Sequence, residues 1–246
     1  MIFLYNDIYQ RNEVILEIGN GIFGKQYEIM IKNDSHADGT VDRILYENMI
    51  KLDTNSVDYL YNFYTDLNNH YEYGNRKLLE NIIINFKNKN NENIIESIIS
   101  YCKNIVLNCD FNIENMVLGG TEEEIILRGT DWCTDIARVA CILFQVAGYP
   151  SRIVITANTK LPYHGHVVTE VYYNNKWGAA DPTNGIIFIN ENKSPISAWD
   201  IKIKEIDSQY ESVGISNYYV NEKSKYNYET SKINDYYRKI LDNSNK

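Results

Sequence analysis

The sequence predicts an α+β protein in which a helix opening at Cys133 packs on an antiparallel sheet carrying His166 and Asp181. Three observations predict it. Cys133, Ala137, Ala140, Phe144 and Ala147 step by four, three, four and three, and Ile136 and Leu143 widen the same face, which is amphipathic helical spacing. Gly148 is a natural residue to follow a helix end, and Pro150 prevents continuation. Two β-like runs, His166 to Tyr173 and Lys176 to Asp181, flank the turn-prone pair Asn174-Asn175.

The elements follow in chain order. Residues 1 to 90 read as a mixed N-terminal elaboration, with short β-like runs at Glu13 to Ile18 and Gln26 to Ile31 separated by Gly19, Gly21 and Gly24. Val57 to Asn69 reads as a helix, with Asp53, Thr54, Asn55 or Ser56 as candidate caps. Leu78 to Phe86 reads as another, and Asn88 to Asn93 as a polar break. The core begins near residue 91. Ile94, Ile95, Ile98, Ile99, Cys102 and Ile105 recur at helical spacing, so Cys102 is a core side chain. Thr130 or Asp131 is the expected cap of the Cys133 helix. Ser151 to Thr156 reads as a strand and Asn158 to Tyr163 as a loop. The core closes near residue 200. Residues 201 to 246 form a C-terminal extension without clear periodicity, with a short helix at Tyr236 to Leu241 and a frayed end.

Composition narrows the function. The 246 residues suffice for a substantial core, and the net charge is −9. Phosphate binding needs clustered Lys and Arg, which this chain lacks, so nucleic acid is not an expected partner. No apolar stretch reaches membrane-spanning length, and the N-terminus lacks a basic region before its apolar residues, so a membrane is not expected and a cytoplasmic location is. Cys102, Cys109, Cys133 and Cys141 form no CxxC pair, which argues against a zinc ribbon or a dithiol redox motif. His36 and His70 are isolated, and His164 and His166 lack a third ligand, so neither metal nor cofactor is expected.

Position singles out Cys133. At a helix N-terminus, unpaired backbone N–H groups and the helix dipole favour thiolate over thiol, and the Cys133 N–H is itself an oxyanion donor. Cys141 lies two turns inside the helix, where no such field acts. A two-residue turn at Asn174-Asn175 pairs Tyr173 with Lys176 and Tyr172 with Trp177, hence Val168 with Asp181 and His166 with Thr183. His166 and Asp181 then share a sheet face as diagonal neighbours, with Cα atoms roughly 7–8 Å apart. A carboxylate there fixes the imidazole tautomer. A three-residue turn would break this geometry. His164 shares the parity one step further away and is the second candidate base.

At these residues the sequence resembles the core of the transglutaminase-like superfamily, the papain-related group of Cys-His-Asp enzymes. Cys133-Thr-Asp135 resembles its helix-opening cysteine, and Leu143-Phe-Gln-Val-Ala-Gly148-Tyr-Pro150-Ser-Arg152-Ile-Val154 its helix-ending phrase. His166-Val-Val-Thr-Glu170-Val171 and Lys176-Trp177-Gly-Ala-Ala-Asp181-Pro182-Thr183 resemble the two blocks that follow. The likeness covers about residues 94 to 190. Asp131 stands where the family often has glycine, and Val168 where it often has an aromatic residue. The resemblance implies a papain-like fold with Cys133 as nucleophile, His166 as base and acid, and Asp181 as orienting carboxylate. It implies acyl transfer through a thioester, with hydrolysis of a peptide, protein or amide as the first expectation. Amide-forming transfer to an amine, from an amide or thioester donor, is the alternative. An inactive binding or scaffold module is the alternative of another class, and three filled triad positions weigh against it. Trp132, His164, Val168 and Trp177 are candidate substrate contacts, although Trp177 suits packing better. Arg152 suits a buried pairing with a carboxylate, and Glu170 a bond to a helix or loop.

Overall fold

The computed structural model describes residues 50–52, 54, 56–61, 67–69, 71–88, 93–109, 120–158, 161–204 and 212–216. The β-like runs expected before residue 50 and the helix expected at Tyr236 to Leu241 lie outside these residues. Among them, the order is β1 (Ile50–Lys51), α1 (Val57–Tyr61), α2 (Lys77–Asn88), α3 (Ile94–Leu107), α4 (Glu122–Arg128) and α5 (Cys133–Ala147). Then come β2 (Ser151–Asn158), β3 (Leu161–Tyr173), β4 (Lys176–Asp181), β5 (Ile186–Ile187), α6 (Ala198–Lys204) and β6 (Ser212–Ser216). The strands form one antiparallel sheet in the order β1-β6-β2-β3-β4-β5.

The central helix is α5. Every residue from Thr134 to Val146 is buried, because helices cover one side of it and the sheet the other. Leu79 and Ile83 of α2, Ile95, Ile98, Ile99 and Cys102 of α3, and Ile125 of α4 join its apolar residues in one cluster with Ile153, Val167, Val171 and Ala180 of the sheet. The opposite sheet face supplies Val154, Val168, Ala179 and Ile215 to a second cluster with Leu52, Leu60, Ala198 and Ile201. Successive strand side chains point to opposite faces, and here both faces are covered.

The helix ends follow local chemistry. Asn93 caps α3 by accepting from the Ile95 and Glu96 N–H groups. Gly148, at φ 104°, closes α5 in the left-handed conformation, and the Tyr149 N–H reaches the Phe144 carbonyl at 2.9 Å. At the other end of α5 the expected caps do not act. Trp132 holds the cap position without a side-chain bond, and Thr130 Oγ1 instead accepts from the Trp132 N–H at 3.1 Å. A side-chain oxygen at that end would occupy the space an anion needs.

The β3–β4 hairpin keeps its expected register, Tyr173 opposite Lys176 and Tyr172 opposite Trp177. Asn174 and Asn175 both take positive φ, 51° and 59°, as a type I′ turn requires. Three expectations need correction. The Asn158 to Tyr163 loop is shorter, because β2 runs to Asn158 and β3 starts at Leu161, which pairs with it. The first helix is described only at Val57–Tyr61, and Leu67–Asn69 are not helical. Among the described residues of the expected C-terminal extension, α6 runs on to Lys204 and β6 inserts between β1 and β2.

Candidate active site

Burial sorts the four cysteines, all of them free thiols. Cys102 and Cys141 are fully buried, and burial pushes the Cys102 thiol far up and the Cys141 thiol to about 12. Such thiols stay protonated and inert. Cys109 and Cys133 are half-buried, and Cys133 is the first residue of α5.

An ionic chain fixes the start of α5. Asp135, fully buried, accepts from Arg128 Nη2 at 2.6 Å and Arg138 Nη1 at 3.3 Å. Arg138 reaches Glu122 at 3.1 Å and the Gly120 carbonyl at 2.6 Å. Glu122 accepts from Arg76 at 2.6 Å, and Arg76 also holds Glu123 through Nε at 2.7 Å. Three guanidinium groups thus face three carboxylates, so no charge in the chain lacks a counterpart, and α4, α5 and the start of α2 are tied together.

His166 and Asp181 come from adjacent strands. Asp181 is fully buried and its Oδ2 meets His166 Nε2 at 2.9 Å. Its Oδ1 accepts from the Thr183 and Asn184 N–H groups at 2.9 and 3.0 Å, and Asn184 Nδ2 donates to Oδ2 at 2.7 Å. This Asx-type turn locks the carboxylate before it meets the ring. Asn184 was not foreseen from the sequence, although an acceptor aspartate followed by Pro-Thr-Asn is a recognisable turn signal. The Cys133 side chain stands near enough to the imidazole to act on its pKa. Burial alone would lower the His166 pKa, but the bonds and charges of Asp181 and Cys133 outweigh it and raise it from 6.5 to about 10. The ring is therefore an imidazolium at neutral pH. His166 and Asp181 are thus in direct contact.

Residues 82–182 match the family model described as the transglutaminase-like superfamily. This stretch is a transglutaminase-like superfamily domain. Searches of curated proteins and of solved structures give no match. The matched residues of the transglutaminase-like domain begin within α2 and end just after Asp181, so all three candidate residues fall inside them. Members of this superfamily generally work through cysteine-based acyl transfer or hydrolysis.

The candidate substrate contacts divide. Trp132 directly precedes Cys133, is half-buried, and its indole Nε1 is buried without a hydrogen-bond partner. His164 lies on β3 two residues before His166. Val168 and Trp177 need correction: at 2% and 6% exposed both side chains are chiefly packing residues. Val168 belongs to the second apolar cluster, and the Arg152 guanidinium lies 3.9 Å over the Trp177 ring. Arg152 forms the buried pairing expected of it, bonding Glu170 Oε2 through Nε and Nη2 at 2.8 and 2.7 Å. Glu170 also accepts from the Tyr61 hydroxyl and from the Ala198 N–H at the start of α6. Among the described residues no group of three His, Cys, Asp or Glu side chains could hold a metal ion, and no helix is long and apolar enough to cross a membrane.

Proposed function

We propose that this protein is a cysteine-dependent acyl-transfer enzyme that hydrolyses a peptide or amide bond through a thioester on Cys133. The observation that carries the reading is the bond of half-buried His166 to buried Asp181 at 2.9 Å, with Cys133 at the opening of α5 near enough to act on the imidazole. The Cys133 thiolate attacks the substrate carbonyl carbon, and the oxygen takes up the electron pair. The backbone N–H of Cys133, at an end of α5 that no side chain caps, donates to that oxygen. Collapse breaks the bond to the leaving amine, which takes its proton from the His166 imidazolium. Neutral His166 then removes a proton from water as the water attacks the thioester. The acid leaves, and thiolate and imidazolium are restored. Asp181 holds the ring and stabilises its charge without moving a proton.

Incubation with an activated p-nitrophenyl ester and a competing primary amine, read by intact mass and product analysis, tests this. One acyl group on Cys133 and free acid as the product are expected. An amide product would reassign the second step to amine transfer. Absence of both adduct and turnover would leave a binding module.

A further inference from the structure

Oδ2 of Asp181 is a shared acceptor. It meets His166 Nε2 at 2.9 Å and accepts from Asn184 Nδ2 at 2.7 Å. Oδ1 of the same carboxylate accepts from the Thr183 and Asn184 backbone N–H groups at 2.9 and 3.0 Å. The two oxygens therefore have different duties. Oδ1 is anchored by backbone donors, which a change of side chain does not remove. Oδ2 is divided between the imidazole and one side-chain amide.

The turn that carries this amide is braced by α3. Lys103 Nζ donates to the Asn184 carbonyl at 3.0 Å, and a Cβ at Gly185 would stand 3.2–3.4 Å from the Lys103 side-chain carbons. Gly185 also takes φ 73°, a conformation that favours glycine. Both contacts of Lys103 are made to backbone, so the turn keeps its place whatever side chain residue 184 carries. The amide is thus separable from the turn. Its loss leaves Asp181 in position and changes what Oδ2 offers the imidazole.

A carboxylate that accepts more hydrogen bonds is a weaker base, because each donor stabilises its charge. On a shared oxygen that stabilisation comes at the expense of the second partner. Asp181 from β4 and Cys133 from the start of α5 are the titratable groups that act on His166. Lys103, the cation that reaches this turn from α3, is engaged by the Asn184 carbonyl. In the acyl-transfer cycle the ring must also give its proton away, and an imidazolium held by an undivided carboxylate is a poorer acid.

We propose that Asn184 is a positioning residue for the acyl-transfer site, whose side-chain amide shares Asp181 Oδ2 with His166 and so limits how tightly the carboxylate holds the imidazolium. The inference rests on the acyl-transfer reading and adds to it a residue that acts through Asp181 to keep the His166 proton transferable.

Asn184→Leu tests it, since leucine matches asparagine in shape, covers Oδ2 and donates nothing. Alanine would admit water, which would donate in the amide's place. The measurement is the His166 ring signal in proton–carbon spectra of the full chain, assigned among the four histidines by its absence from His166→Ala. In Asn184→Leu its titration midpoint should rise by roughly half a unit or more, part of the shift of about one unit that a donor bond makes in a carboxylate. Asn184→Gln, which keeps an amide donor, should return toward wild type. At neutral pH the His166 Nε2–H proton resonance should move downfield in Asn184→Leu, a readout that needs no alkaline titration. A midpoint that stays or falls, or an Nε2–H resonance that stays or moves upfield, overturns the proposal. So does an Asn184→Leu variant that fails to fold, since the amide would then carry the turn. Selective alkylation of Cys133 is a separate measurement. Its absence from the wild-type protein removes the acyl-transfer reading, while the sharing of Oδ2 is decided by the ring signals alone.

Discussion

Strand β3 carries two charged pairs four residues apart, and they are built to opposite ends. At Glu170 the pair with Arg152 is closed, with side chains 0% and 4% exposed. Arg152 lies between the Trp177 and Tyr61 rings, at 3.9 and 4.6 Å, and gives its remaining bond to the Leu60 carbonyl at 2.7 Å. At His166 the pair with Asp181 is closed on one side only. Asp181 is fully buried, but the imidazole is 23% exposed and has the Cys133 thiol near it. A closed pair fixes geometry and cannot exchange a partner. A half-open pair can give its proton to an incoming molecule, and that is the condition chemistry needs.

Substitutions should separate the two pairs, and the largest effect belongs to the open one. Cys133→Ser should abolish acylation by an activated ester, and His166→Ala should come close to it. His164→Ala should retain most of the rate in the same assay. A dead His164 variant beside an active His166 variant would move the base to His164. Asp181→Asn should leave the fold intact, as read by circular dichroism, while the acylation rate falls by something on the order of 10⁴, the loss seen when a triad carboxylate is neutralised.

The closed pair should respond in stability instead. Glu170→Gln leaves the Arg152 guanidinium buried without its counter-charge, which costs about 3–5 kcal/mol of unfolding free energy. Urea unfolding measures that loss, and turnover per folded molecule should stay close to wild type. A Glu170→Gln variant that keeps its stability but loses its rate would erase the distinction between the pairs.

The last effect is a pH dependence. The His166 pKa stands at about 10 in the folded protein, above the ordinary 6.5. A group raised on folding adds stability that is fully present below its unfolded pKa and lost as pH climbs through the folded one. The stability advantage of wild type over His166→Asn should therefore be constant below about pH 6.5 and shrink steadily toward pH 10. An advantage that grows over this window would mean that the ring is held neutral.

Most of this contrast was legible in the sequence, because it rests on local rules. The Asn174-Asn175 turn fixed the register that lets His166 meet Asp181, and the 4-3-4-3 spacing placed Cys133 at the start of α5. What stayed hidden depends on distant partners. The Arg76–Glu122 bond joins residues 46 apart, and no local pattern announces it. Trp177 has the right parity for the site, but only the tertiary stack with Arg152 and Tyr172 shows it to be buried. Two omissions were readable. Thr121 with Glu124 forms a reciprocal capping box that starts α4, and Ser197 with Asp200 makes a similar arrangement at α6. Strand β6 is five residues with little alternation, and it is recruited by pairing with β2 rather than by its own pattern.

The central claim is that Cys133 alone among the four thiols is held reactive by His166 and Asp181. Limited iodoacetamide labelling near neutral pH, followed by peptide mapping, tests it most directly. The account predicts prompt alkylation of Cys133 while buried Cys102 and Cys141 stay unmodified and Cys109 lags, with the Cys133 rate falling sharply in His166→Ala. Slow, even labelling of all four cysteines, or a Cys133 rate indifferent to the loss of His166, would contradict it.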